Sequence, residues 1–83
     1  DRINQILELM KEVETLSFEQ LFTEVTDKEM IIATFLAILE LIKLKVIKAR
    51  QEERFGPIHL VRSVVIDDKW LEDNLPKINR ETG

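Results

Sequence analysis

The chain has 83 residues, no cysteine, and 12 Lys and Arg against 16 Asp and Glu, a net charge of −4. A single domain of this size buries roughly 60–65% of its unfolded surface without help. The composition excludes disulfides and thiolate metal sites, and the acidic balance argues against general nucleic-acid binding, which draws its affinity from neutralised phosphates.

Residues 2–14 read as an amphipathic helix, with Ile3, Ile6, Leu7, Met10 and Val13 at spacings of three and four. Ser17 is placed to cap a short second helix whose buried face is Phe18, Leu21 and Phe22, with Gln20 completing a capping box. Thr26 repeats the device with Glu29, and Asp27 adds negative charge at the start of the next helix. Two caps so close together predict two helices joined at a tight corner near Val25, a helix-turn-helix.

Residues 30–44 are apolar at twelve of fifteen positions, the exceptions being Thr34, Glu40 and Lys43. At about 100° per residue they form a broad stripe of Ile31, Ile32, Phe35, Ile38, Leu39 and Ile42, and a smaller one of Met30, Ala33, Ala37, Leu41 and Leu44. A surface helix normally has one stripe and a polar back, so this helix predicts cover from two sides. It is too short for a bilayer, which takes roughly 20 apolar residues. With no signal segment recognised, the chain is expected to be cytoplasmic.

The helix is predicted to end near Leu44 or Lys45. Residues 46–53 then alternate, with Ile47, Ala49 and Gln51 on one face and Lys48, Arg50 and Glu52 on the other. Phe55-Gly56-Pro57 reads as a turn in which Gly56 supplies positive φ, and residues 58–66 as the return strand. Asp67 is predicted to cap a short last helix carrying Trp70, Leu71 and Leu75 and stopped at Pro76, and residues 79–83 to fray. The expected fold is therefore α+β: a three-helix core followed by a β-hairpin wing, with a short C-terminal helix. The winged-helix domain should occupy residues 1–78. Because Asp1 stands inside a helical pattern, the chain reads as a fragment of a longer protein.

Candidate chemistry is sparse. His59 is the only histidine and has no evident co-ligand, so no metal is expected. Ser17 and Ser63 lack a convincing base, and no Gly-rich phosphate loop exists, so neither an enzyme nor a cofactor site is expected. Residues 43–54 carry Lys43, Lys45, Lys48, Arg50 and Arg54 against Glu52 and Glu53, a local balance of +3. The plainer reading of this patch is a solvated strand face paired with those two glutamates. The main functional signal is the apolar excess of the long helix, with Ile32, Phe35, Leu36, Leu39, Lys43 and, on the wing, Gln51 as candidate partner-binding residues. Aliphatic and aromatic anchors suit a protein partner, whereas base readout needs Arg, Lys, Asn or Gln.

The stretches Ser17-Phe18-Glu19-Gln20-Leu21-Phe22, residues 34–44, Gln51-Glu52-Glu53 and Phe55-Gly56-Pro57-Ile58 resemble the C-terminal winged-helix domain of kleisins. The nearest likeness is to the bacterial and archaeal kleisins of chromosome segregation and condensation. The resemblance implies a non-catalytic domain that binds the ATPase head of an SMC protein, on the cap distal to its coiled coil. Other condensin subunits would be held by parts of the protein not in this chain, DNA would be reached only indirectly, and no membrane is involved. Lys45 departs from the pattern, standing where the family often has Gly after the helix, as do Pro57 and the tail from Asp67 onward. Two other readings use the same features: a DNA-binding winged-helix transcriptional regulator, and a self-associating domain closed through the apolar strip.

Overall fold

The computed structural model describes residues 2–23 and 25–82, so Gly83, the end of the segment expected to fray, lies outside it. Among the described residues seven elements follow in order: α1 (Arg2–Glu12), β1 (Thr15–Ser17), α2 (Phe18–Thr23), α3 (Lys28–Lys43), β2 (Ile47–Arg50), β3 (His59–Arg62) and α4 (Asp68–Thr82). The fold is α+β, four helices with a three-stranded antiparallel sheet of order β1-β3-β2. It is compatible with a winged helix.

The first helix buries Ile3, Ile6, Leu7 and Met10, as its periodicity predicts, but ends at Glu12 and leaves Val13 outside. The chain then extends into β1, a strand that the sequence reading missed. Leu16 pairs with Leu60 of β3 and packs on the core. Ser17 still caps α2, its Oγ accepting from the Gln20 amide at 3.3 Å. At the start of α3, however, the cap is Asp27 rather than Thr26. Its carboxylate accepts from the Glu29 amide at 3.0 Å, and its carbonyl takes the first helical bond, from Ile31. The residue that closes the first turn also places an anion at the helix N-terminus, which favours it over a neutral hydroxyl one position earlier.

The end of α3 is a Schellman motif. The Val46 amide donates to the Leu41 carbonyl at 3.0 Å and the Lys45 amide to Ile42 at 2.9 Å. Both Leu41 and Val46 are buried, which supplies the motif's apolar contact. Lys45 takes the left-handed position at φ 64°, a conformation in which a Cβ crowds the following carbonyl.

The hairpin is shorter than expected. Strand β2 pairs with β3 in the register Ile47↔Arg62, Lys48↔Val61, Ala49↔Leu60 and Arg50↔His59, leaving residues 51–58 as loop. Here the assignment of positive φ to Gly56 is overturned: Phe55 takes it, at φ 65°. Gly56 has a different constraint. Its amide donates to the Glu53 carbonyl at 2.9 Å, and a Cβ there would stand 3.1 Å from both that oxygen and Glu53 Cβ.

Asp67 caps α4 as predicted, accepting from the Trp70 amide at 2.8 Å. The helix does not stop at Pro76, which lies inside it, and it is helical to Thr82 across most of the segment expected to fray. Proline removes the bond to the Glu72 carbonyl, but Glu72 is exposed and water can satisfy that oxygen. Continuing the helix buries Ile78 beside the already buried Leu71, a gain of about 1.5–3 kcal/mol. Lys11, at the end of α1, reaches Asp68 and Glu8. The hydrogen bond to Asp68, with the charge of both carboxylates, holds the lysine pKa above its ordinary range. With the carboxylates ionised, that contribution is intact at neutral pH and is lost as pH climbs through the raised value.

Replacing Lys45 with Gly tests the left-handed helix end. It removes the Cβ strain, about 1–2 kcal/mol, and restores roughly 0.4–1 kcal/mol of unfolded-chain entropy. Lys45→Gly is therefore expected to stabilise the domain by about 0.5–1 kcal/mol in urea denaturation. A loss of stability would show that the position does not need positive φ.

Candidate functional site on the outer face of the long helix

One side of α3 is packed. Thr34, Ala37, Ile38 and Leu41 are buried, and α1 and α2 are its helical neighbours. Three of these are apolar; Thr34, counted in the sequence as a polar interruption, is fully buried at 0% exposure. Its hydroxyl donates to the Met30 carbonyl and accepts from Arg2 Nε, both at 2.7 Å, while a terminal nitrogen of Arg2 donates to the Leu21 carbonyl at 3.1 Å. A satisfied hydroxyl costs little to bury, so Thr34 belongs to the core.

The packed side fixes what faces outward. At about 100° per residue, positions 32, 35, 36, 39 and 43 fall roughly opposite positions 34, 37, 38 and 41. Ile32, Phe35, Leu36 and Leu39 are all exposed, Leu36 at 57% against 2% for the neighbouring Ile38. The broad stripe predicted from the sequence is thus divided. Ile38 faces the core and Ile42 is half-buried, while Ile31, Ile32, Phe35 and Leu39 are exposed. From the smaller stripe, Ala37 and Leu41 are core.

Two rings extend this face. Phe18 and Phe22 are partly buried, with centroids 5.0 Å apart at an interplanar angle of 47°. With Ile31, Ile32, Phe35 and Leu36 they line an open groove of about 470 Å³ whose walls are apolar. The structure therefore brings Ile32, Phe35 and Leu36 together in one depression. Leu39 continues the same face a turn further on, and the exposed Lys43 stands at its C-terminal end. Gln51 is not part of it. Its side-chain amide donates to the Gly56 carbonyl at 2.9 Å, tying the loop after β2. Sequence reasoning left Phe18, Phe22 and Ile31 out of the site, although the i, i+4 spacing of the two phenylalanines was a usable signal.

Among the described residues no group of three or more His, Cys, Asp or Glu is placed to hold a metal ion, and no helix is long and apolar enough to cross a membrane. What the surface offers is a row of large apolar side chains with a charged end. Such a patch on a folded domain marks an interaction surface, for a protein, a membrane or an apolar ligand.

That class of domain has a family. The model of the segregation and condensation protein ScpA matches residues 2–63, and the chain belongs to this family. It is 42% identical over 62 residues to segregation and condensation protein A of Clostridium tetani, covering 75% of this chain and 24% of that protein. The corresponding protein of Halothermothrix orenii is 44% identical over 62 residues, 72% of this chain and 26% of the relative. That of Clostridium acetobutylicum is 34% identical over 67 residues, 81% and 27% respectively. The chain thus spans about a quarter of the length of the curated relatives it matches. No solved structure is significantly similar.

The two faces of α3 are separable by truncation. Ile38→Ala is expected to cost about 2–4 kcal/mol, as for other buried aliphatic deletions, whereas Leu36→Ala should change stability by no more than about 0.5 kcal/mol. Denaturant titration of both variants checks the assignment, and the reverse ranking would mean that the helix is rotated on the core.

Proposed function

We propose that this chain is the C-terminal winged-helix domain of a kleisin, and that it binds the ATPase head of an SMC protein through the outer face of α3. The observation that carries this reading is the exposure of Ile32, Phe35, Leu36 and Leu39 on one side of a helix whose other side is core. Membership of the ScpA family supports it. The domain contributes no catalytic step of its own; ATP is bound by the partner. Together with parts of the protein outside this chain, which hold the other condensin subunits, it helps close a ring that organises the chromosome, at the nucleoid in the cytoplasm.

The chemistry of the face favours a protein over a base-reading role. Direct readout needs Arg, Lys, Asn or Gln directed at base edges, and along this face only Lys43 qualifies. Buried aliphatic and aromatic anchors, in contrast, commonly lose about 2 kcal/mol or more of binding energy when truncated. A charge placed among them leaves an unpaired ion in a dry contact, which costs more.

The double change Phe35→Arg with Leu39→Lys is therefore expected to abolish retention of the chain by an immobilised SMC head. Because both residues are exposed, its melting temperature should stay within a few degrees of the parent. Retention of binding by the folded double variant would remove α3 from the interface.

A further inference from the structure

The sheet has two faces with different chemistry. Residues opposite one another in an antiparallel pair share a face, and neighbours along a strand alternate. The register therefore puts Leu16, Leu60, Ala49 and Ile47 on the inner side, where Leu60 and Ile47 are buried. On the outer side run two cross-strand rows, Thr15–Val61–Lys48 and Ser17–His59–Arg50. Lys48 and Arg50 are exposed, and two residues of strand separate their stems by about 7 Å. Lys45 precedes the strand, exposed in its left-handed position. Arg54 follows it in the loop, its guanidinium 5.4 Å from the centre of the Phe55 ring, and Phe55 is 90% exposed.

The expected pairing of these cations with Glu52 and Glu53 is not found. Among the described residues Lys45, Lys48, Arg50 and Arg54 form no ion pair. The net charge of −4 is moreover unevenly divided, +2 within residues 44–54 and −6 elsewhere. Summed charge of this kind favours approach of a polyanion by β2 and its flanks over the rest of the surface, although Glu52 and Glu53 stand near His59 of the outer row.

We propose that the outer face of the sheet, with Lys45, Lys48, Arg50 and Arg54, makes a direct, sequence-independent contact with the phosphate backbone of duplex DNA. Cationic side chains beside hydroxyls, here Thr15 and Ser17, are the usual donors to phosphate oxygens. A partner protein with an acidic segment would meet the same charges. The outer rows, however, offer only Val61 as an apolar contact, with Phe55 beside Arg54 in the loop, and a protein interface draws much of its energy from a cluster of buried anchors. The contact is separate from the α3 face and does not depend on the SMC assignment. Three or four phosphates neutralised on an otherwise acidic domain make it weak. With a slope of about −0.9 per phosphate, tripling the salt weakens binding roughly 20- to 50-fold.

Anisotropy titration of the 83-residue chain against a fluorescein-labelled 30-base-pair duplex at 50 and 150 mM salt tests this. Binding is expected at 50 mM, with that salt dependence. Lys48→Glu with Arg50→Glu should weaken it at least tenfold, whereas Lys69→Glu with Lys77→Glu on α4, which changes the net charge equally, should leave it within threefold. If the first pair destabilises the fold, Lys48→Gln with Arg50→Gln is expected to show the same loss at smaller size. Absence of binding at 50 mM, or equal loss in both charge-matched pairs, would overturn the proposal. So would a poly-glutamate probe binding as tightly as the duplex, which would make the surface a site for acidic proteins instead.

Discussion

The architecture depends on how α3 packs against its neighbours. Its inward face is made of small or branched side chains, Thr34, Ala37, Ile38 and Leu41, and the core they join includes Ile3, Ile6, Leu7 and Met10 of α1. Ala37 and Thr34 bring little volume, which lets helices approach closely. Arg2 then pins the contact by bonding to the Thr34 hydroxyl and the Leu21 carbonyl together, linking α1, α2 and α3 at one point. Once this face is chosen, the helix cannot turn, and its larger apolar side chains are directed outward. Four aliphatic and aromatic residues, each about half exposed, represent burial of roughly 0.7–1.5 kcal/mol each that the isolated domain does not realise. A partner seated on this face would recover that energy.

Much of this was legible in the sequence. The excess of apolar residues over what one domain can cover was visible in residues 30–44, and the candidates Ile32, Phe35, Leu36 and Leu39 are exposed. The rotation of the helix was not legible, because a stripe count treats Thr34 as polar and favours the side with more isoleucine. A threonine that returns its hydrogen to the carbonyl four residues back and accepts from an arginine is locally satisfied, and nothing in the spacing shows that. The strand β1 escaped because three residues are too few to show alternation, and Ser17 gives a cap signal that holds in the structure alongside its strand pairing.

The loop and the last helix failed in another way, through rules that name a residue type and not its surroundings. Glycine is the default for positive φ, yet the loop places Phe55 there and gives Gly56 the site beside Glu53 where a Cβ is crowded. A bulky residue in this region costs about 1–3 kcal/mol, and the Gln51 and Glu53 contacts to Gly56 determine the loop geometry around it. Pro76 is a helix breaker by propensity, but Ile78 beyond it is needed in the core. In both places a tertiary constraint outweighs a local preference. The cationic outer face of the sheet shows the same limit. Its charges and the shared face of Lys48 and Arg50 were legible in the sequence, but the hydroxyls of Thr15 and Ser17 beside them required β1 and the register.

The central claim, that α3 meets a partner through the face opposite the core, is tested most directly by methyl NMR. An isolated SMC head would be titrated into the chain labelled at its Ile, Leu and Val methyl groups. Signals of Ile32, Leu36 and Leu39 are predicted to shift or broaden, while those of the also exposed Leu9, Val13 and Val65 stay in place. Changes confined to Leu9, Val13 or Val65, with Ile32, Leu36 and Leu39 unmoved, would contradict the account.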